Sequence, residues 1–155
     1  MGGRHLSLVA ALAVVGAVAL AAAAAAAVNW RELSRGTATG APPSAPIGFV
    51  AYDRAGAKPL EARVPTVKGR VIDLDFRHDA LLAVVGGFGC QDQRITVRSV
   101  AQLGPVLLVS LVKWPLAAGK VECQALFPTY RTLLIAKAQL RRPYPSRVEV
   151  RLAPA

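Results

Sequence analysis

Arg147-Val148-Glu149-Val150-Arg151-Leu152 is the stretch that decides the architecture. Its apolar side chains fall at 148, 150 and 152 and its charges at 147, 149 and 151, the period of a strand with one buried face. The same alternation recurs upstream. Gln93–Val100 sets Ile95 and Val97 against Arg94, Thr96 and Arg98, and Val71–Phe76 sets Ile72, Leu74 and Phe76 against Asp73 and Asp75. Three further runs, Leu81–Val85, Val106–Val112 and Leu133–Ala136, are apolar almost throughout and bounded by Gly or Pro. Runs of that kind suit central strands covered on both faces. Ile47–Tyr52 and Val121–Phe127 bring the set to about eight strands, and Arg131–Leu140 also fits a helical period, though less well than a strand. Turn residues separate the runs at Gly86-Gly87-Phe88-Gly89, Leu103-Gly104-Pro105, Pro115–Gly119 and Phe127-Pro128. The connections are too short for helical crossovers. The expected fold is therefore all-β, a small antiparallel sandwich or partly open barrel.

Outward from this domain, the N-terminus has a different character. Leu6–Val28 is an uncharged run of 23 residues in which Ala fills 12 positions, Val 5 and Leu 4. As a helix it would extend about 34 Å, enough to cross a hydrocarbon core. Arg4, the apolar stretch and the small residues Ala21–Ala27 also match a cleavable secretory leader. Both fates, a retained signal-anchor and a cleaved signal, place the rest of the chain outside the cytoplasm. The expected organisation is an apolar N-terminal helix over 1–28, a Pro/Ala/Gly-rich linker over 29–46 and a β domain over 47–155. The linker rests on Gly36–Pro46, stiffened by Pro42, Pro43 and Pro46.

The chain carries a formal net charge of +10. Residues 47–155 hold 16 Lys and Arg against 8 Asp and Glu. Such a balance favours anionic surfaces, namely lipid head groups, acidic polymers or an acidic protein. Basic residues on outward strand faces also serve to discourage edge-to-edge pairing. Nucleic acid is a poor partner for an exported chain whose basic residues are not interleaved with stacking aromatics.

Few residues carry chemistry. Cys90 and Cys123 are the only cysteines, and in an oxidising compartment a lone pair reads as a disulfide, with a stabilisation of roughly 4 kcal/mol if unstrained. Asp73, Asp75, His78 and Asp79 form the one acidic cluster, but the spaced glycine and closing glutamate of a calcium loop are missing. His78 has no second histidine or nucleophile beside it in sequence. No nucleophile elbow, phosphate loop or zinc signature occurs. No catalytic set, cofactor or metal is expected.

Residues 81–137 carry an ordered series of features. An apolar strand meets a Gly-rich turn, and a second apolar strand runs into Trp114-Pro115 and Gly119. Val121-Glu-Cys-Gln124 and Pro128-Thr-Tyr130 follow, and a last strand ends in Lys137. This order resembles the C-terminal domain of the protease complex subunit PrcB family. Pro115, Gly119, Val121 and Gln124 match its loop and strand markers, and Tyr130 its Pro-Tyr aromatic. Cys90-Gln91-Asp92-Gln93 stands where the family has Gly-Gly-Tyr, and Thr129 splits the Pro-Tyr pair. The resemblance implies a small exported, non-catalytic β domain that associates with or modulates a secreted protease.

Together these features describe an exported or membrane-tethered protein-binding module, with a cell-envelope protein holding anionic polymer or lipid through its basic faces as the alternative. The expected contact residues are Phe88, Gln91, Trp114, Gln124 and Tyr130. Large aromatics in turns are common anchors for a partner.

Overall fold

The computed structural model describes residues 24–38, 44–64, 73–90, 95–114 and 126–154, with the side chains of 87–90 and 126–127 outside the description. Among these residues eight strands form two four-stranded sheets. β1 (Ala26–Ala27), β5 (Ile95–Leu103), β6 (Val106–Lys113) and β8 (Arg147–Ala153) make sheet A in the order β1-β5-β6-β8. β2 (Arg31–Thr37), β7 (Leu126–Ala136), β4 (Asp79–Cys90) and β3 (Ile47–Ala51) make sheet B in the order β2-β7-β4-β3. The sheets pack face to face as a sandwich and do not close into a barrel. One pair departs from the antiparallel expectation, since β8 lies parallel to β6. After β6 the chain crosses to sheet B, runs back along β7, and so re-enters sheet A from the end at which β6 began.

The main core lies between the sheets. Leu82 and Val84 of β4 and Leu133 and Ile135 of β7 meet Val100 of β5 and Leu107, Val109 and Leu111 of β6. The intervening residues of sheet B, Leu81, Ala83, Val85, Tyr130 and Leu134, point the other way and are just as buried. They are covered by a helix, α1 (Arg54–Arg63), through Ala57, Leu60 and the following Val64, and by Leu74 and Phe76. The continuous apolar runs of β4 and β7 are thus buried on both faces, as their sequence predicts.

α1 is unforeseen by the strand pattern. Asp53 caps it, accepting a 2.7 Å hydrogen bond from the Gly56 N–H, and Ala57, Leu60 and Val64 face sheet B. The acidic stretch before β4 is no strand: residues 73–78 form turns, and Asp75 accepts the Arg77 N–H. The alternation there is real in exposure, with Leu74 and Phe76 half-buried and Asp73 and Asp75 exposed, but it belongs to a folded-back loop.

Part of the expected linker is also strand. β2 has a single apolar residue, Leu33, and joins the sheet by polar ties. Arg131 of β7, 8% exposed, sends Nη1 to both Glu32 carboxylate oxygens at 3.1 Å and Nε to the Ile95 carbonyl at 2.7 Å. Ser34 and Thr132 share a hydrogen bond of 2.5 Å. The end of the apolar leader is likewise in the fold. Ala26 and Ala27 pair with Gln102 and Ala101, and Val28 is buried in the main core with its N–H on the Val100 carbonyl at 2.9 Å. Among the described residues no helix is long and apolar enough to cross a membrane. Residues 1–23 lie outside the description.

Close approach is tightest at Gly48 and Gly86. A Cβ at Gly48 would lie 2.2 Å from Val148 Cγ1, so its absence lets edge strand β3 close against edge strand β8. A Cβ at Gly86 would lie 2.4 Å from Ile95 Cδ1. Gly86-Gly87-Phe88-Gly89 is therefore no turn. It continues β4 through a register shift between Val85 and Phe88, and the glycine gives Ile95 room.

Gly48→Ala is expected to cost about 1–3 kcal/mol by overpacking, read as the urea midpoint. Adding Val148→Ala will recover part of that loss, giving a double mutant less destabilised than the sum. Glu32→Gln, which removes the charge opposite buried Arg131, is expected to cost about 2 kcal/mol. Arg35→Ala will change stability by less than about 0.5 kcal/mol, because its 3.9 Å contact with Glu32 is solvated.

Candidate functional site

The topology gives the sandwich two unlike ends. At one, here the loop end, β4 finishes at Cys90 and β5 begins at Ile95, while β6 finishes at Lys113 and β7 begins at Leu126. β2 finishes, β3 begins and β8 finishes there as well. At the other, the leader end, β5 turns into β6 at Gly104-Pro105, β7 leaves for β8, and residues 24–25 depart beside Leu103. The nine residues of β5 separate the two ends by about 26 Å.

The two connections that carry Gln91 and Gln124, β4 to β5 and β6 to β7, leave and enter their strands at the loop end. Trp114 follows the last residue of β6 with 48% of its surface exposed, and its indole N–H donates to Thr96 Oγ1 at 3.0 Å. Leu152, 52% exposed, is the next-to-last residue of β8 on the same rim. Phe88 lies within β4, its backbone opposite Pro128, and its side chain is outside the description. Gln91, Gln124, Pro115, Gly119 and Val121 fall outside the described residues. Tyr130 does not belong with them. At 2% exposure it is part of the core beneath α1, with its hydroxyl against Gly36. The Pro-Tyr aromatic is thus a packing residue, and Tyr130 is removed from the contact set.

Cys90 is the last residue of β4, paired through its backbone with Leu126, rather than in a turn. Cys123 and the Cys90 side chain lie outside the description, and so does the bond expected between them.

The acidic cluster is a local turn. His78 Nδ1 lies 2.8 Å from Asp75 Oδ2, and the backbone N–H groups of His78 and Asp79 donate to the Asp75 carbonyl at 3.0 and 2.9 Å. The hydrogen bonds from His78 and from the Arg77 N–H hold the Asp75 carboxyl below the usual carboxylate range. Among the described residues no three His, Cys, Asp or Glu side chains converge as a metal site.

The densest polar arrangement was not foreseen. Lys137, where β7 gives way to a 3-10 turn (Lys137–Gln139), sends Nζ to the carbonyls of Phe76 and of Tyr52, the latter at 2.8 Å. It also lies 6.0 Å from the ring centres of Tyr52 and Tyr144, which stack 5.1 Å apart. The Tyr52 hydroxyl donates to the Pro145 carbonyl at 2.6 Å, and the Arg142 guanidinium covers the Tyr144 ring at 5.1 Å. This knot joins β3, the loop before β4, and the 141–146 loop. The Lys137 ammonium and the Tyr52 hydroxyl in it are directed at backbone carbonyls, so it holds three segments together. Its one sequence signal was the lysine that ends the apolar run of β7.

A shallow groove of about 450 Å³ runs along the β3–β8 seam, floored by Gly48, Val148 and Val150 and bordered by Glu149 and Arg151. The Glu149 carboxylate pairs with Arg147 at 3.0 Å and with Arg151 at 3.4 Å. Comparison with family models, with curated proteins and with solved structures returns no match.

Burial, and then the neighbouring Tyr144, push the Tyr52 hydroxyl up to about 12 from its ordinary 10. The folded state therefore keeps a proton that the unfolded chain releases, and stability from this group is intact below pH 10 and falls as pH rises toward 12. Denaturant midpoints measured across that range should fall less steeply for Tyr52→Phe than for the parent chain.

Proposed function

We propose that the chain is a non-catalytic protein-binding module, exported or tethered to a membrane by its apolar leader, which contacts its partner through the loop end. One observation carries the reading: the β4–β5 and β6–β7 connections, which hold Gln91, Trp114 and Gln124, open at the end of the sandwich farthest from residues 24–25. A tethered body would present that end away from the bilayer. The exposed Trp114 supports it, since an amphipathic ring that keeps about half its surface in solvent at an interstrand rim suits an interface anchor. Loops on a rigid sandwich are a recurrent way to build such surfaces. The likeness of residues 81–137 to the PrcB C-terminal domain makes a secreted protease the first partner to test. Trp114, Phe88, Gln91 and Gln124 form the proposed contact set.

A photoreactive phenylalanine analogue placed at position 114, in the full chain in its native envelope, should crosslink one defined protein, identified by mass spectrometry. The same probe at position 103, on the leader end, should not. Phe88→Ala should weaken retention of that protein, and added salt should leave the 114 crosslink in place. No crosslink from 114, or equal crosslinking from both ends, would overturn the proposal.

A further inference from the structure

The leader end has a chemistry of its own on its sheet A side. Arg141, Arg142 and Arg147 are exposed there, around the turn that carries Leu103, itself 38% exposed. Their placement is fixed by the backbone. Gln102, 3% exposed, accepts the Arg141 N–H at 2.8 Å through Oε1 and donates from Nε2 to the carbonyls of Arg141 and Gly104, both at 3.0 Å. The Pro105 carbonyl receives the N–H groups of Ser146 and Arg147 at 3.0 and 3.3 Å. The β5–β6 turn and the 141–147 loop are thereby locked side by side. Gln102 is also the residue opposite Ala26, so the same lock stands where the chain departs toward its apolar run.

The charge at this end is divided. Asp53, Asp75 and Asp79 lie on the sheet B side, with Arg54, Arg77 and Lys137 among them. On the sheet A side the one carboxylate among the described residues is Glu149, which is shared between Arg147 and Arg151. Arg141 and Arg142 have no carboxylate partner among the described residues, and Arg142 spends one face on the Tyr144 ring. An uncharged run from Leu6 to Ala25 precedes β1, with residues 24 and 25 exposed beside Leu103.

We infer that this face is a lipid-docking apron, in which Arg141 and Arg142, with Arg147 beside them, engage the phosphates of an anionic bilayer while Leu103 enters its interface. The inference rests on the membrane-tethered reading, because the leader brings the bilayer to this end. Basic side chains beside an apolar insertion are the recognised means of holding a domain to an anionic leaflet. The uncharged run continues directly into the β1 ladder, so a bilayer that held this run would lie close to the apron.

The test uses the full chain carrying Leu103→Trp, reconstituted in nanodiscs of dibrominated phosphatidylcholine, alone or with phosphatidylglycerol as a third of the lipid. Quenching of the added tryptophan should deepen with the anionic lipid and be reversed by high salt. Arg141→Glu with Arg142→Glu should abolish that gain, and the neutral pair Arg141→Gln with Arg142→Gln should weaken docking about fivefold per arginine. Near-ultraviolet circular dichroism identifies any variant that has lost its fold. Equal quenching with and without phosphatidylglycerol, or folded variants that dock as the parent does, would overturn the apron. A chain that fails to enter the discs would overturn the tether instead. Flotation of that free chain with phosphatidylglycerol vesicles, but not with phosphatidylcholine vesicles, would still uphold the apron, and its absence would sink it.

Discussion

Neither face of β4 or of β7 can be left to water, and the rest of the molecule is arranged around that requirement. Leu82 and Val84 on one side and Leu81 and Val85 on the other each need an apolar cover. Sheet A supplies one, and α1 with Leu74 and Phe76 supplies the other. The result is a three-layered body built on a chain whose pattern reads as two layers. Burying a leucine or valine side chain is worth about 1.5–3 kcal/mol, so leaving either face bare would forfeit more than a domain of this size has in reserve.

Apolar burial sets the layers but not their alignment, and polar ties fix it at three places. Arg131 reaches from β7 to both Glu32 of β2 and the Ile95 carbonyl of β5, coupling the two sheets along one side. Gln102 fastens the turn after β5 to the loop before β8. Lys137 gathers β3, the β4 approach and the stacked tyrosines. Each of these groups satisfies backbone carbonyls or a carboxylate that strand pairing leaves over. Along the β3–β8 seam the fit also depends on shape, through the missing side chain of Gly48.

What was legible in the sequence follows the same division. Continuous apolar runs gave away β4 and β7, and period-two alternation gave away β8 and β5. A register shift between Val97 and Ser99 moves the inward set of β5 from Ile95 and Val97 to Val100 and Gln102. α1 escaped notice because Gly56 and Pro59 break the helical signal that Asp53, Ala57, Leu60 and Val64 provide. β2 escaped because its place is earned by Glu32 and Ser34 rather than by greasy residues. The run from Asp73 to Phe76 misled for the opposite reason, since alternate exposure arises in a loop pinned by Asp75 as readily as in a strand. Of the contact residues, Trp114 follows the last residue of β6 with its ring half exposed. Tyr130 is buried, since its neighbours Arg131, Thr132 and Leu133 place it in a strand under the helix.

The handover at Ala26 has a mechanical consequence. β1 runs along the same axis as β5, and its N-terminal side points past Leu103. A pull exerted through the leader would therefore act lengthwise on the Ala26–Val28 contacts with β5, stressing them in shear together instead of peeling them one by one. Behind them Val28 is wedged in the core, so tension on the leader would be transmitted into the body of the sandwich rather than absorbed by slack chain.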